Sequence, residues 1–115
     1  MDREAKLSGH EERNRKLLWV FEEKRVDLFE SRSIDLHFWA TGRANCERFA
    51  DELSRRGFKI ACMVPGRARD GLEAWNIEAE TVASISEVTA TGFTAMLTDL
   101  AADFCAEYDG WGTAV

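Results

Sequence analysis

Apolar and polar residues alternate along three segments of the chain, which is the pattern of half-buried β-strands. The residues expected to face the core are Ile34, Leu36, Phe38 and Ala40 in the first segment, Phe58, Ile60, Cys62 and Val64 in the second, and Trp75, Ile77, Ala79 and Thr81 in the third. Pro65 and Gly66 predict the end of the second strand. Residues 58–81 are therefore interpreted as a hairpin with a long loop.

Two other segments repeat apolar residues at the helical spacing. The first of these two helices, which follows the first strand, is expected to be capped by Thr41 and ended by Gly57. The last helix of the chain is expected to begin at Ser86 or Thr89 and to stop at Gly110. Their core-facing stripes are Cys46, Phe49, Ala50 and Leu53 in the first, and Phe93, Met96, Leu97, Leu100, Ala101, Phe104, Cys105 and Tyr108 in the last. Residues 111–115 are predicted to add a short edge strand.

The order of these elements predicts the architecture. A helix over about residues 10–25 comes first, after a frayed segment at 1–9, and one domain is expected over residues 10–115. The core, about 33–115, reads strand, helix, strand, strand, helix and a short last strand. Crossover helices return over one face of a sheet with a fixed hand, so both cover the same side. The sequence therefore predicts an α+β, ferredoxin-like sandwich preceded by an N-terminal helix.

Such a sandwich leaves the other face of its sheet open. The residues expected on that face are Asp35, His37, Trp39, Lys59, Met63, Asn76, Glu78 and Glu80. Carboxylates at its centre would repel a phosphate chain, so direct nucleic-acid binding is not expected. Large exposed apolar patches are uncommon in monomers, so the N-terminal helix or a second subunit is an alternative cover for this face.

Charge is distributed unevenly along the 115 residues, whose net charge is −6. Residues 1–72 carry all 15 Lys and Arg against 13 acidic residues, whereas residues 73–115 carry 8 acidic residues and no Lys or Arg. This imbalance favours a basic protein segment as a partner. The first ten residues are polar and no apolar run would span a bilayer, which predicts a cytoplasmic protein without a membrane role. The three cysteines are expected on core faces, and no metal or cofactor is expected.

Several side chains suggest specific functions, each of which has a simpler structural explanation. His37 beside Asp35 could transfer protons, but no motif places a nucleophile with them. Glu78 and Glu80, about 7 Å apart along one strand, are better explained as a solvated or partner-facing pair than as an acid and a base. The basic segment Arg67–Arg69 is either a solvated hairpin tip or a phosphate contact. The predicted partner-binding residues are Trp39, Glu78, Glu80, Asp109 and Trp111; Trp111 and Tyr108 could instead pack against the last helix and hold the terminus.

The run Tyr108-Asp109-Gly110-Trp111-Gly112-Thr113, after the last helix, resembles the end of the regulator of ribonuclease E activity B family. The strand from Ile34 to Trp39, the helix with Phe49, Ala50 and Leu53, Gly57-Phe58 and Trp75-Ile77 are similar too. The resemblance covers roughly residues 33–114.

That resemblance implies a small cytoplasmic bacterial protein with a ferredoxin-like fold and no enzymatic activity. It also implies that the protein binds the non-catalytic scaffold region of the endoribonuclease RNase E and inhibits RNA cleavage by that enzyme. Characterised members continue after the motif as a strongly acidic extension, and this sequence ends at Val115, so a contact made by that extension would be missing. A small-ligand-binding domain and a homodimer that pairs through the open sheet face are the alternatives.

Overall fold

The structure, a computed structural model, describes residues 3–67 and 73–114. Ala68 and Arg69 of the predicted basic segment lie outside the described residues, as do the first two residues of the predicted frayed terminus. The elements are α1 (Arg3–Glu23), β1 (Arg32–Ala40), α2 (Arg43–Arg55), β2 (Lys59–Arg67), β3 (Glu73–Ala83), α3 (Ile85–Val88), α4 (Thr91–Asp103) and β4 (Ala106–Gly112).

The four strands form one antiparallel sheet in the order β2-β3-β1-β4. Both crossover helices pack on the same face, since Phe49 of α2 meets Phe38 of β1 edge-on at 5.0 Å and stacks on Phe104, at the end of α4, at 5.6 Å. The predicted α+β, ferredoxin-like sandwich is therefore confirmed, and its core lies between the sheet and this helical layer.

The regular parts of the pattern are confirmed residue by residue. In β1 the predicted inward residues are at most 1% exposed, and β3 pairs with β1 along its length without a register shift. The predicted stripe of α2 is buried throughout. In a strand with strict alternation, or a helix with an uninterrupted 3.6-residue period, the apolar residues all lie on one face. The pattern alone therefore determines which side chains of these elements face the core.

The second strand departs from its prediction because it contains a bulge. Its register against β3 shifts between Ile60 and Cys62, and one extra residue moves every later side chain to the opposite face. Cys62 consequently lies opposite Glu78 on the open face, and Met63 lies opposite Ile77 on the helix-covered face. The predictions that Cys62 and Val64 face the core and that Met63 faces outward are wrong.

The predicted end of the second strand is wrong as well. The strand continues through Pro65 and Gly66 to Arg67. Proline removes a backbone donor, which a strand tolerates when it forms the edge of a sheet, and β2 is an edge strand.

The predicted helix starts are also corrected. Gly42, at φ +82°, occupies the cap position of α2 in place of Thr41, and no side chain caps that end. Ser84 caps the short helix α3 in a reciprocal capping box with Glu87, so neither Ser86 nor Thr89 begins the last helix. The long helix α4 begins only at Thr91, after a break that follows α3.

The last helix ends earlier than Gly110, which is a strand residue. The chain turns after Asp103 through Cys105, at φ +54°, and enters β4 at Ala106. The predicted edge strand therefore exists, but it covers residues 106–112 and includes Tyr108. Cys105 is exposed, which overturns its predicted core position. Asp109 has no partner in the pairing with β1, because the register shifts between His37 and Phe38.

The N-terminal helix lies beside α4, on the helix-covered side of the sheet. It begins at Arg3, seven residues before its predicted start, and Arg3 pairs with Asp99 of α4 at 2.7 Å. Asn14 donates a 3.4 Å hydrogen bond to Thr94, also on α4. The alternative in which this helix covers the open face is therefore wrong.

Candidate partner-binding face

The side of the sheet away from the helices presents a grid of side chains, because residues directly opposite in an antiparallel sheet point to the same face. We call this surface the open face. Its rows across the sheet are Val64, Asn76, Trp39 and Glu107; then Cys62, Glu78 and His37; then Lys59, Glu80 and Asp35. The predicted face is thus correct except for Met63, and Cys62, Val64 and Glu107 are additions that the alternation did not provide.

The open face carries an excess of negative charge. Four carboxylates share these rows with one amine, that of Lys59, which lies opposite Glu80. Nδ1 of His37 is 3.7 Å from Oε1 of Glu78, a contact that becomes an ion pair only when the imidazole is protonated. Adjacent strands are about 4.8 Å apart, so the carboxylates reinforce one another's field at the surface. Such a surface attracts cations and repels phosphate.

Three of the five predicted partner-binding residues, Trp39, Glu78 and Glu80, lie together on the open face. Asp109 is exposed at the bulge of β4, at the edge of the sheet. Trp111 is only 3% exposed and donates a 2.9 Å hydrogen bond from Nε1 to Oδ1 of Asn14. We therefore exclude Trp111 from the candidate surface, since a buried ring cannot meet a partner.

Residues 108–113, which we call the terminal motif, serve instead to hold α1 against the edge of β4. Nη2 of Arg13 donates a 3.0 Å hydrogen bond to the carbonyl of Trp111, and His10 stacks on Tyr108 with ring centroids 4.8 Å apart. Phe21 adds a tilted ring contact with Trp111 at 6.1 Å. Backbone groups at a sheet edge are otherwise free to pair with another chain, and Arg13 of α1 binds one of them, the carbonyl of Trp111.

A buried polar contact completes this docking and was missed by the sequence reasoning. Asn14 is 5% exposed and binds both Trp111 and Thr94. Thr94 and Thr98 were predicted outside the core-facing stripe of the last helix, yet they are 1% and 6% exposed. The prediction failed because α4 is covered on a second side by α1, and only a pairing of polar residues between two helices marks that contact.

Burial shifts the pKa values of the two groups at this docking site. It lowers the pKa of His10, which favours the neutral imidazole stacked on Tyr108. Burial also raises the pKa of Tyr108 far above its usual value, so its hydroxyl stays neutral. A shallow groove nearby is lined by charges of both signs: Lys6, His10, Arg13, Glu107 and Asp109. The groove has no dominant charge that would select one class of ligand.

Gly110 offers a test of the α1 docking site. Its φ is +126°, and an added Cβ would lie 2.9 Å from Nη1 of Arg13. We expect Gly110→Ala to lower the free energy of unfolding by about 1–3 kcal/mol, because it combines backbone strain with displacement of Arg13. Urea denaturation measures this. Gly112→Ala is the matched control, since a Cβ there meets nothing within 4 Å and φ is not positive; equal losses for the two variants would contradict the prediction.

The described residues, 3–67 and 73–114, contain neither a metal-binding cluster nor a membrane-spanning helix. Among these residues no three His, Cys, Asp or Glu side chains are grouped so that they could hold a metal ion. None of the described helices combines the length and the apolar character needed to cross a bilayer.

These observations define a small α+β protein whose ferredoxin-like sheet is covered by helices on one face and is acidic on the other. A family model described as Regulator of ribonuclease activity B matches residues 11–113, from the middle of α1 to the end of the terminal motif. The chain belongs to this family, which confirms the resemblance seen in the sequence. The family is a regulatory one and is not a known family of enzymes. No curated protein matches the chain.

Proposed function

We propose that this protein is a non-catalytic regulator that binds a basic segment in the scaffold region of an RNase E-type endoribonuclease and thereby modulates RNA turnover. Membership of the family supports a ribonuclease as the target. We assign the contact to the open face, and we place the protein in the bacterial cytoplasm, where such a ribonuclease acts.

One observation carries the choice of surface: three carboxylates, those of Asp35, Glu78 and Glu80, share with Trp39 and His37 a face that no described element covers. A partner with several Lys or Arg residues would neutralise this charge, and the attraction would also speed its association. An RNA strand would meet the same carboxylates as repulsion. The charge pattern therefore favours the protein part of a ribonuclease over its substrate.

The arrangement of reactive groups on this face argues against catalysis. Strand β3 lies between Cys62 and His37, so their backbones are about 10 Å apart. This separation does not favour a thiolate–imidazole pair, which needs hydrogen-bond contact between the two side chains. Glu78 and Glu80 are partly exposed on the surface of the sheet, where solvent reaches both carboxylates. Binding is the function that these groups support.

The proposal is tested by titrating the purified chain against the purified scaffold region of the ribonuclease in low and high salt. We expect binding that weakens as salt rises, because exposed charge pairs are screened. RNA cleavage by the full-length ribonuclease should slow when the chain is added, whereas cleavage by a ribonuclease without its scaffold region should not change. Absence of binding at low salt would refute the proposal.

A further inference from the structure

The indole of Trp39 lies along the open face, and the surroundings of Gly66 reveal it. A Cβ added to Gly66 would be 3.1 Å and 3.4 Å from Cζ3 and Cη2 of the indole. Trp39 belongs to β1 and Gly66 to β2, with β3 between them. Two strand spacings amount to about 10 Å, so the ring reaches Gly66 only by lying flat across β3.

Small residues form the floor beneath this ring. Gly66 pairs with Ala74 of β3, and Ala74 is only 3% exposed. Trp39 itself is half-buried, as expected for a ring with one face against the sheet and the other toward solvent. A glycine and an alanine at these positions leave room for the indole to lie parallel to the sheet, whereas larger side chains would push the ring away from the sheet surface.

One carboxylate of the open face lies on the strand that the ring crosses. Glu78 on β3 is one row away from Trp39, whereas Glu107 is on β4, on the other side of β1 from the ring. The face of an aromatic ring attracts cations, most strongly for tryptophan, and neighbouring carboxylates add to that attraction. The surface therefore combines a flat stacking platform with a carboxylate acceptor, that of Glu78, on the strand beneath it.

We propose that this platform selects arginine over lysine in the basic segment of the partner: the guanidinium stacks on Trp39 while its N–H groups face Glu78. Arginine is planar, weakly hydrated and carries its donors in the ring plane, so it can stack and pair at once. An ammonium group is compact and strongly hydrated, and it gains little from a flat platform. This inference rests on the proposed function and names the side chain that the open face recognises.

Two synthetic peptides test it, one of alternating arginine and serine and one in which every arginine is lysine. Their affinities for the purified chain are measured by calorimetry at low salt. We expect the arginine peptide to bind roughly two- to five-fold more tightly, the range of an exposed cation–aromatic contact. Trp39→Leu should abolish this preference, and Trp39→Tyr should keep part of it. Trp19→Ala is the matched control, because Trp19 is 64% exposed on α1, away from the open face.

The outcomes separate this inference from the proposed function. Equal affinity for both peptides, or an arginine preference that survives in Trp39→Leu, would overturn the role of the platform while leaving an acidic docking face. Failure of both peptides to bind the unaltered chain would overturn the acidic docking face together with the platform. Loss of the preference in Trp19→Ala would show that arginine is read on α1, and would also overturn the inference. Circular dichroism of each variant establishes that it is folded.

Discussion

Replacing Trp111 by alanine is expected to lower the free energy of unfolding by about 3–5 kcal/mol, the range for a large aromatic residue removed from a core. Trp111 is 3% exposed, and its ring contacts Phe21 of α1. The substitution also leaves Oδ1 of Asn14 without its 2.9 Å donor in a buried position, which adds to the cost. Urea denaturation followed by circular dichroism measures the loss.

Two further variants show which part of Trp111 matters. Trp111→Phe keeps most of the apolar contact and removes the hydrogen bond to Asn14, so its loss should be smaller than that of alanine. Trp19→Ala removes an exposed ring of the same type and should change stability by about 0.5 kcal/mol or less. A loss from Trp111→Ala as small as that of Trp19→Ala would contradict the docking role of the terminal motif.

The sequence predicted those elements whose pattern runs without interruption. The strands β1 and β3 pair without irregularity, and the stripe of α2 is unbroken, so side-chain direction follows from spacing alone. From these elements the fold class and most of the open face followed, including Trp39, Glu78 and Glu80. Periodicity is sufficient when each residue advances the backbone by the same rotation.

Prediction from periodicity failed in β2 and β4, the two strands that contain irregularities in their pairing. A bulge adds one residue to one strand and reverses the facing of everything beyond it, and the amino acids carry little signal of where it falls. Cys62 and Met63 exchanged faces for this reason. In β4 the glycine at position 110 was interpreted as the end of a helix, whereas its positive φ belongs to the irregular part of a strand.

The location of α1 could not be predicted, because much of its docking is polar. Arg13 binds a backbone carbonyl, His10 stacks on a tyrosine, and Asn14 joins α4 to Trp111. Each of these residues has the character expected of a solvated helix surface. Apolar periodicity identifies a face that avoids water, but it does not identify polar residues that find partners in another element.

Reversing the charge of Glu78 and Glu80 is expected to give the largest loss of partner binding. The double variant Glu78→Lys and Glu80→Lys replaces two attractive charges by two repulsive ones at the centre of the open face. Like charges brought together across an interface cost several kcal/mol. We expect affinity for the ribonuclease scaffold region to fall by about thirty-fold or more, which corresponds to about 2 kcal/mol. Calorimetric titration at low salt measures the change.

The matched control carries the same change in net charge on another surface. Glu22→Lys with Glu23→Lys alters two exposed residues at the end of α1, on the helix-covered side of the sheet. Net charge acts over long range and is weakened by salt, so this control should lose little affinity, and less still as salt rises. Comparable losses in the two double variants would mean that the partner responds to overall charge, and would remove the open face as the docking site. A loss confined to Glu78 and Glu80 would instead locate binding there, because only local repulsion depends on where the lysines are placed.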